Sequence, residues 1–352
     1  MSLSLYRMMG VLLALPLLAS CGGHSPAEVD RLLGFPPPHK TAVANSSDPH
    51  AALFDTGVDA LTAGDHQKAV EAWKSYLTKA PPHLQRARDV RGYVTLLERE
   101  IARRFAKQAV TREQTSGDVA GDPNHVAIVP FYNYQIKKGE FGPEQHFSKA
   151  VLAFIMADLA KVPDLKLLER ARIDALVGEL KLTSSGLVNA DSAARLGRML
   201  RAGTIITGTV RDESGDGNYL SGRYKINTTA ASVNNGAVLG HQEADGPRGK
   251  FFDLQKEITF EILQSLGITD YPEGVRTIHT KNWDAYAAFA KGLQRLDSGD
   301  FSGARSAFLR ALKLDPDFEL AKTNYLDTPD GPTSLDQVKQ AVTNRRAAAS
   351  EK

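Results

Sequence analysis

The sequence predicts an α/β fold, in which a central domain built on a mixed β-sheet is flanked by α-helical hairpins. Within residues 124–268, short β-branched and apolar runs typical of strands alternate with amphipathic stretches typical of helices. Two helix–turn–helix segments with a common residue spacing lie on either side of this region. The chain has 352 residues, of which 42% are hydrophobic, so it is long enough to form two or three domains with cores of their own.

The N-terminus has the pattern of a secretory signal peptide over residues 1–20. An apolar stretch from Met8 to Leu18 is too short to span a bilayer and has the length of a signal-peptide core. It ends in Leu18, Ala19 and Ser20, which precede Cys21, the only cysteine of the chain. This segment resembles the bacterial lipobox, which implies cleavage before Cys21 and acylation of that residue. The alternatives are an ordinary signal peptide followed by a chance cysteine, or a cysteine that is a buried thiol.

Residues 21–49 are predicted to form a flexible tether. Three consecutive prolines at residues 36–38 and a polar stretch at 45–47 are typical of such a linker. A coil of this length would let the folded part stand off the membrane, in the periplasm. Gly22 occupies the position at which an aspartate would favour inner-membrane retention. The lipobox resemblance therefore implies the outer membrane.

Two segments, 50–112 and 280–326, share one residue spacing. Each contains a glycine–aspartate pair, Gly64–Asp65 and Gly299–Asp300, that predicts a tight turn between two helices. Small residues allow the helices to approach, an aromatic side chain fills the groove between them, and a proline follows the second helix. The segments resemble the tetratricopeptide repeat. The packing residues are Gly57, Ala69, Trp73 and Pro81 in the first segment, and Gly292, Ala304, Phe308, Ala311 and Pro316 in the second.

These helical segments have two interpretations that the sequence leaves open. They form a peptide-binding groove, or they pack on the central domain and bind nothing, since so few repeats make only a shallow groove. A charged amphipathic stretch at 84–109 is predicted to extend the first segment as a helix, and a short helix at 318–325 is predicted to cap the second. Residues 327–352 are predicted to form a C-terminal tail.

The central domain is predicted to have the element order β-α-β-α-α-β-β-β-α. The third helix is expected to begin at Asp191, as its N-cap, and to end at Leu200. Asn235–Gly236 is typical of a hairpin turn between the last two strands. The remaining elements are strands at 125–131, 165–168, 204–210, 219–233 and 237–244, and helices at 148–161, 169–181 and 251–266.

The central domain resembles the CsgG-like family, whose founding member is the curli secretion-channel lipoprotein. Four short motifs carry the resemblance: VAIVPF at 126–131, LER at 168–170, SG at 185–186 and ITGTV at 206–210. Two positions depart from the family pattern, since Arg201-Ala202-Gly203 precedes the third main strand and Asn235–Gly236 forms the hairpin. The resemblance covers residues 124–268 and implies an α/β fold in a lipoprotein of an envelope export system.

Composition and motifs argue against several other classes. A formal net charge of +2 gives no field suited to nucleic acid, and one cysteine excludes an intrachain disulfide or a cysteine-based metal site. The sequence has no spacing typical of a catalytic triad, a P-loop or a metal site, so we predict no catalytic residues, metals or cofactors. Glu169–Arg170 is either a functional pair or the start of a helix stabilised by its glutamate, and the latter is favoured. Phe131, Tyr132 and Tyr134 are expected to pack in the fold and not to stack on a ligand.

The sequence therefore favours a non-enzymatic lipoprotein of the periplasmic space, anchored in the outer membrane through Cys21. It would bind envelope proteins through its α/β domain and helical segments, as a scaffold or accessory component of an assembly or export system. A homo-oligomer is left open. The alternative function is that of a regulatory lipoprotein that stimulates a periplasmic cell-wall synthase.

Overall fold

A computed structural model describes residues 26–35, 48–116, 120–133, 147–183, 186–212 and 222–350. The predicted signal peptide, Leu18, Ala19, Ser20 and Cys21 lie outside these residues, as do Tyr134, Ser185 and most of the predicted tether. The fold below concerns the described residues only.

The centre of the fold is a six-stranded mixed sheet. In space, β3, β1, β4, β5 and β6 follow one another, and the short β2 pairs with β4 beyond the end of β1. The pairs β1–β3, β1–β4 and β2–β4 are parallel, whereas β4–β5 and β5–β6 are antiparallel. The strands are β1 (Asp122–Ile128), β2 (Tyr132–Asn133), β3 (Lys166–Leu167), β4 (Ala202–Asp212), β5 (Arg223–Ser232) and β6 (Val238–Pro247).

Twelve α-helices are found in the described residues, in the order that the sequence predicts around the sheet. The α/β fold class, with a mixed sheet flanked by helices, is confirmed, and β2 is the one addition to the expected strands. The helices are α1 (Pro26–Leu32), α2 (Ala51–Thr62), α3 (His66–Leu77), α4 (Gln85–Ser116), α5 (Phe147–Leu159), α6 (Arg170–Glu179), α7 (Ala190–Leu200), α8 (Phe251–Ser265), α9 (Trp283–Ser298), α10 (Phe301–Leu314), α11 (Glu319–Asp327) and α12 (Leu335–Ser350).

Helices cover both faces of the sheet, as expected when parallel strands have apolar residues on both sides. On one face, Val126, Ile206 and Ile226 share a core with α5, α8 and the C-terminal helices α9–α11. On the other face, Ala127 and Ile205 pack against α6, α7 and the C-terminal half of α4. A third core joins α2, α3, the N-terminal half of α4 and α12.

The α2–α3 and α9–α10 hairpins turn in the same way. Gly64 and Gly299 have φ angles of +80° and +82°, in the left-handed region that glycine adopts without strain. The aspartate that follows each glycine caps the next helix: Asp65 Oδ1 accepts a hydrogen bond from the amide of Lys68, and Asp300 Oδ1 accepts one from Gly303. The shared Gly–Asp pair thus has one physical role in both segments.

Glycine also sets the distance between the helices of each hairpin. A Cβ at Gly57 would overlap the indole of Trp73, and one at Gly292 would overlap the ring of Phe308. Trp73 is fully buried, and its Nε1 donates a hydrogen bond to the carbonyl of Phe54 at 3.0 Å. The other packing residues are placed as follows: Ala69, Ala304 and Ala311 are fully buried, while Pro81 and Pro316 follow the ends of α3 and α10.

The predicted tether is wrong for residues 26–35, which are folded onto the body. Val29 and Leu32 of α1, and Leu33 directly after it, pack in the core of the sheet and the C-terminal helices, and α1 contacts α10. Two ion pairs reinforce the contact, Arg88–Asp30 at 2.7 Å and Lys313–Glu28 at 2.8 Å. A short apolar stretch between polar neighbours gives too weak a periodic signal to be recognised in the sequence.

Two smaller expectations also differ from the structure. The predicted C-terminal tail contains α12, whose Val338 and Val342 are buried in the core of the α2–α3 hairpin. The N-cap of α7 is Asn189, whose side chain accepts hydrogen bonds from the amides of Asp191 and Ser192, so Asp191 lies in the first turn. Asparagine is as good a cap as aspartate, and two neighbouring candidates are not separable by pattern alone.

Gly292 gives a direct test of the close helix approach. We expect Gly292→Ala to lower the free energy of unfolding by about 1–3 kcal/mol, because the new methyl group must displace the ring of Phe308. Gly178→Ala is the matched control: it also lies in a helix, but its Cβ would meet nothing within 4 Å. There alanine should be neutral or stabilising by up to about 1 kcal/mol. Equal stability of the two variants in urea unfolding would contradict the packing account.

Candidate functional site

The antiparallel end of the sheet presents one face without a full helical cover. In β5, Tyr224, Ile226, Thr228 and Ala230 point into the core towards α8, because strand side chains alternate between the two faces. The side chains on the opposite side are exposed or half-buried. We call this surface the β5–β6 face. It consists of Arg223, Lys225, Asn227 and Thr229 on β5, and Leu239, His241, Glu243 and Asp245 on β6.

Polar pairs connect the two strands across the β5–β6 face. Arg223 Nη2 lies 2.6 Å from Asp245 Oδ2, and Lys225 Nζ lies 2.6 Å from Glu243 Oε1. Further along, Thr229 Oγ1 and His241 Nδ1 are 2.9 Å apart. Exposed pairs of this kind contribute at most about 1 kcal/mol each, since water competes for both members. These pairs hold the side chains of the face in defined positions, and a binding partner could replace the pairs with its own contacts at a small energetic cost.

Strand β6 is an edge strand with an apolar end. Within the described residues it pairs with β5 alone, and its register shifts between Ala230 and Ala231 of β5, so that Leu239 is a bulged residue. Val238 and Leu239 are 65% and 44% exposed. An open strand edge beside exposed apolar side chains is typical of a surface that another protein covers. The β5–β6 face with Val238 is the candidate partner-binding site.

The packing residues predicted from the repeats do not form part of this surface. Gly57, Ala69 and Trp73 are buried in the first hairpin, and Gly292, Ala304, Phe308 and Ala311 are buried in the second. Their burial makes them determinants of helix packing, and no ligand has access to them. Phe131 is likewise buried, with its ring against Gly208, and Tyr132 is half-buried.

Arg170 lies in an ionic junction that the sequence did not predict. Its guanidinium bonds Asp174 one turn along α6 and both carboxylate oxygens of Asp297 at 2.8 Å, while Lys149 of α5 also bonds Asp297. From α4, Arg99 donates to the carbonyls of Leu296 and Asp297. The junction thus joins the central domain to both helical segments. Asp297 lies in the last turn of α9, and no local sequence pattern predicts its role in the junction.

A second ionic cluster, at Asp158, is buried. Asp158 of α5 is fully buried, with Lys256 Nζ of α8 at 2.5 Å, Lys161 Nζ at 3.1 Å and His279 Nε2 at 3.0 Å. Lys256 also donates to the carbonyl of Val275. Burial alone would raise the pKa of Asp158, but hydrogen bonds and charges from His279 and Lys256 hold it below its ordinary value. The cluster fixes α5, α8 and the segment that leads into α9.

The described ranges contain neither a candidate metal site nor a candidate membrane span. No group of histidine, aspartate and glutamate side chains there has the geometry of a metal site. Across the same part of the chain, none of the helices combines the length and the apolar composition that a membrane span requires.

Part of the central domain matches the model of a known protein family. The family model described as "Curli production assembly/transport component CsgG" matches residues 126–221. Residues 126–221 are thus similar to the CsgG family. The match begins in β1, includes α5, α6, α7 and β4, and ends just before β5, so the resemblance expected from the short motifs is confirmed over this range. No curated protein matches the chain.

Two solved structures are similar to part of the chain at 12% sequence identity. The match to the LpoB C-terminal domain from Salmonella enterica covers 94% of that domain and 40% of this chain, with a TM-score of 0.25. The match to the lipoprotein GNA1162 from Neisseria meningitidis covers 97% of that chain and 41% of this chain, with a TM-score of 0.29. Scores below 0.5 do not establish a common fold, and the assignment of the CsgG-like domain rests on the family model.

The Asp158 cluster predicts a defined response to mutation and pH. Asp158→Asn leaves Lys256 buried without its carboxylate, so we expect a loss of about 3–5 kcal/mol in the free energy of unfolding at pH 7. The folded-state pKa of Asp158 is depressed, so its stabilisation is present above the ordinary value of 3.8 and is lost below it. The deficit of Asp158→Asn relative to wild type should therefore shrink as the pH falls from 5 to 3.

The matched control for that experiment is Asp164→Asn, in an exposed turn after α5. It should change the free energy of unfolding by less than about 0.5 kcal/mol at every pH. A deficit of Asp158→Asn that is no larger than that of the control at pH 7 would contradict the role of the cluster.

Proposed function

We propose that this protein is a non-enzymatic envelope lipoprotein that serves as a scaffold or accessory component of an assembly or export system. The observation that carries the proposal is the match of residues 126–221 to a family described as a curli assembly and transport component. The sequence has none of the catalytic motifs considered above. In the described residues, the edge strand β6 and the polar β5–β6 face are exposed, and such surfaces are suited to binding protein partners.

Anchoring through Cys21 is the second part of the proposal. The lipobox-like segment ending at Ser20 supports acylation of Cys21, and Gly22 favours the outer membrane, with the folded part in the periplasm. Because α1 begins at Pro26 and packs on the body, only a few residues separate the anchor from the fold. Five extended residues reach about 18 Å, so the body would lie close to the bilayer.

The helical segments 50–112 and 280–326 are proposed to be tetratricopeptide-like. Their shared turn, capping aspartate and glycine–aromatic contact support this assignment. The first is extended by α4 and the second by α11. Since both pack against neighbouring helices or the sheet, we propose that they position the central domain, and that the β5–β6 face contacts the partner.

Lipid labelling tests the anchor. We expect the wild-type protein to incorporate labelled palmitate and to sediment with membranes, and Cys21→Ala to lose the label, because no other thiol exists in the chain. Ser20→Ala, which keeps a small residue before the cysteine, should retain the label. Labelling of the Cys21→Ala protein, or none of the wild type, would exclude acylation of this residue.

Site-specific photo-crosslinking tests the partner surface. A photoreactive residue at His241 on the β5–β6 face should crosslink to an envelope protein, whereas one at Glu71, exposed on α3, should not. Components of an export or assembly system among the products would support the proposed function, and a cell-wall synthase would favour the regulatory alternative. A product with a second copy of the chain would show that this face forms an oligomer. Equal products at the two positions, or none, would exclude the β5–β6 face.

A further inference from the structure

Three helices begin at the wall of one cavity between the two helical segments. The cavity has a volume of about 570 Å³ and is lined by the first residues of α3, α10 and α12, namely His66, Phe301 and Leu335. One side of α4 completes the wall. We call it the basic pocket. Each of the three helices has at least 12 residues and directs the partial positive charge of its N-terminus to the pocket, where the carboxylates of Asp65, Asp300 and Asp336 in the caps and first turns offset part of it.

Cationic side chains add to the charge of the helix ends. Arg99, Arg103 and Arg104 of α4 and Lys339 of α12 all line the basic pocket. In the described structure neither Arg103 nor Lys339 has an ion-pair partner. The pocket therefore contains two cations whose charge is available to a ligand.

The three carboxylates that line the pocket do not neutralise Arg103 or Lys339. Glu100 bonds Arg104 at 2.9 Å, and Asp297 is held by Arg170 and Lys149 in the ionic junction. The third, Asp336, lies in the first turn of α12, where a carboxylate is stabilised by the helix itself. Within the described part of the chain, none of the three forms an ion pair with Arg103 or Lys339.

His66 points independently to a ligand. It is only 6% exposed, it lines the basic pocket, and its Nδ1 is buried without a hydrogen-bond partner. Leaving a buried polar atom unsatisfied costs about 1–3 kcal/mol. Burial lowers the pKa of His66, and the nearby charges of Arg104 and Lys339 act in the same direction, against Glu100 and its neighbour Asp65. An anion that accepts a hydrogen bond from this ring would relieve the cost and would favour the protonated form.

We propose that the basic pocket binds a small oxyanion group, a phosphate or a carboxylate, between Arg103, Lys339 and His66. The volume exceeds that of a bare phosphate and falls in the range of small-molecule sites, so the group is part of a larger ligand. Phe301, with the guanidinium of Arg99 5.4 Å from its ring centroid, provides an apolar wall for the remainder. This site is separate from the β5–β6 face and does not depend on the proposed function.

Calorimetry on the mature chain, at constant ionic strength, tests the site with two probes, inorganic phosphate and malonate. The wild type should bind at least one, and the preferred probe identifies the group as phosphate or carboxylate. The double variant Arg103→Gln/Lys339→Gln should weaken binding at least tenfold. The control Lys79→Gln/Lys107→Gln makes the same change in net charge at exposed lysines outside the pocket and should change affinity less than twofold.

The role of His66 is tested with sulfate, whose charge does not change between pH 6 and 8. Its affinity should increase as the pH falls through this range, because protonation of His66 is coupled to anion binding, and His66→Gln should abolish the increase. Should His66→Gln fail to fold, the charge variants still decide the matter. Absence of binding by the wild type to every probe, or equal weakening in the lysine control, would overturn the proposal.

Discussion

The structure depends on the layer formed by α5 and α8, which is apolar towards the sheet and towards the C-terminal hairpin at the same time. Phe154 of α5 contacts Tyr286, Phe289 and Phe318, while Ile226 and Ile206 of the sheet belong to the same core. A helix buried on two sides has no face for a charge unless that charge is paired. Asp158 is such a paired charge, with Lys256 and His279 as its partners. The CsgG-like domain and the C-terminal hairpin therefore share one core.

The same constraint extends to the N-terminal hairpin through α4. This helix has 32 residues and spans about 48 Å, so it packs in the core of α2 and α3 at one end and against α6, α7 and the sheet at the other. The junction at Asp297 adds contacts between α4, α6 and α9 along its length. The helical segments are thus held in place by the α/β domain. Such an arrangement suits a scaffold, since it presents its surfaces in one fixed relation.

Local patterns predicted the elements, and contacts distant in sequence account for what was missed. The Gly–Asp turns, the strand alternation and the Asn235–Gly236 hairpin are encoded within a few residues, and the structure has helices and strands where those patterns place them. In contrast, α1 and α12 gain their stability from apolar residues on other elements. His66 and Asp297 acquire their surroundings only when α3, α4, α9 and α12 meet, so their spacing in sequence carries no sign of either site.

The layer order also bears on the orientation that the proposed lipid anchor would give the molecule. Leu33 and α1 belong to the core on the α5–α8 side of the sheet, whereas the β5–β6 face is formed by the residues that alternate to the other side. Cys21 lies only five residues before α1, so the proposed acylation of Cys21 would draw the α1 side towards the bilayer. The sheet itself then separates the anchor from the β5–β6 face. In this orientation a periplasmic partner could reach the β5–β6 face, and lipid would not cover the edge strand β6. The proposed scaffold function requires such an orientation.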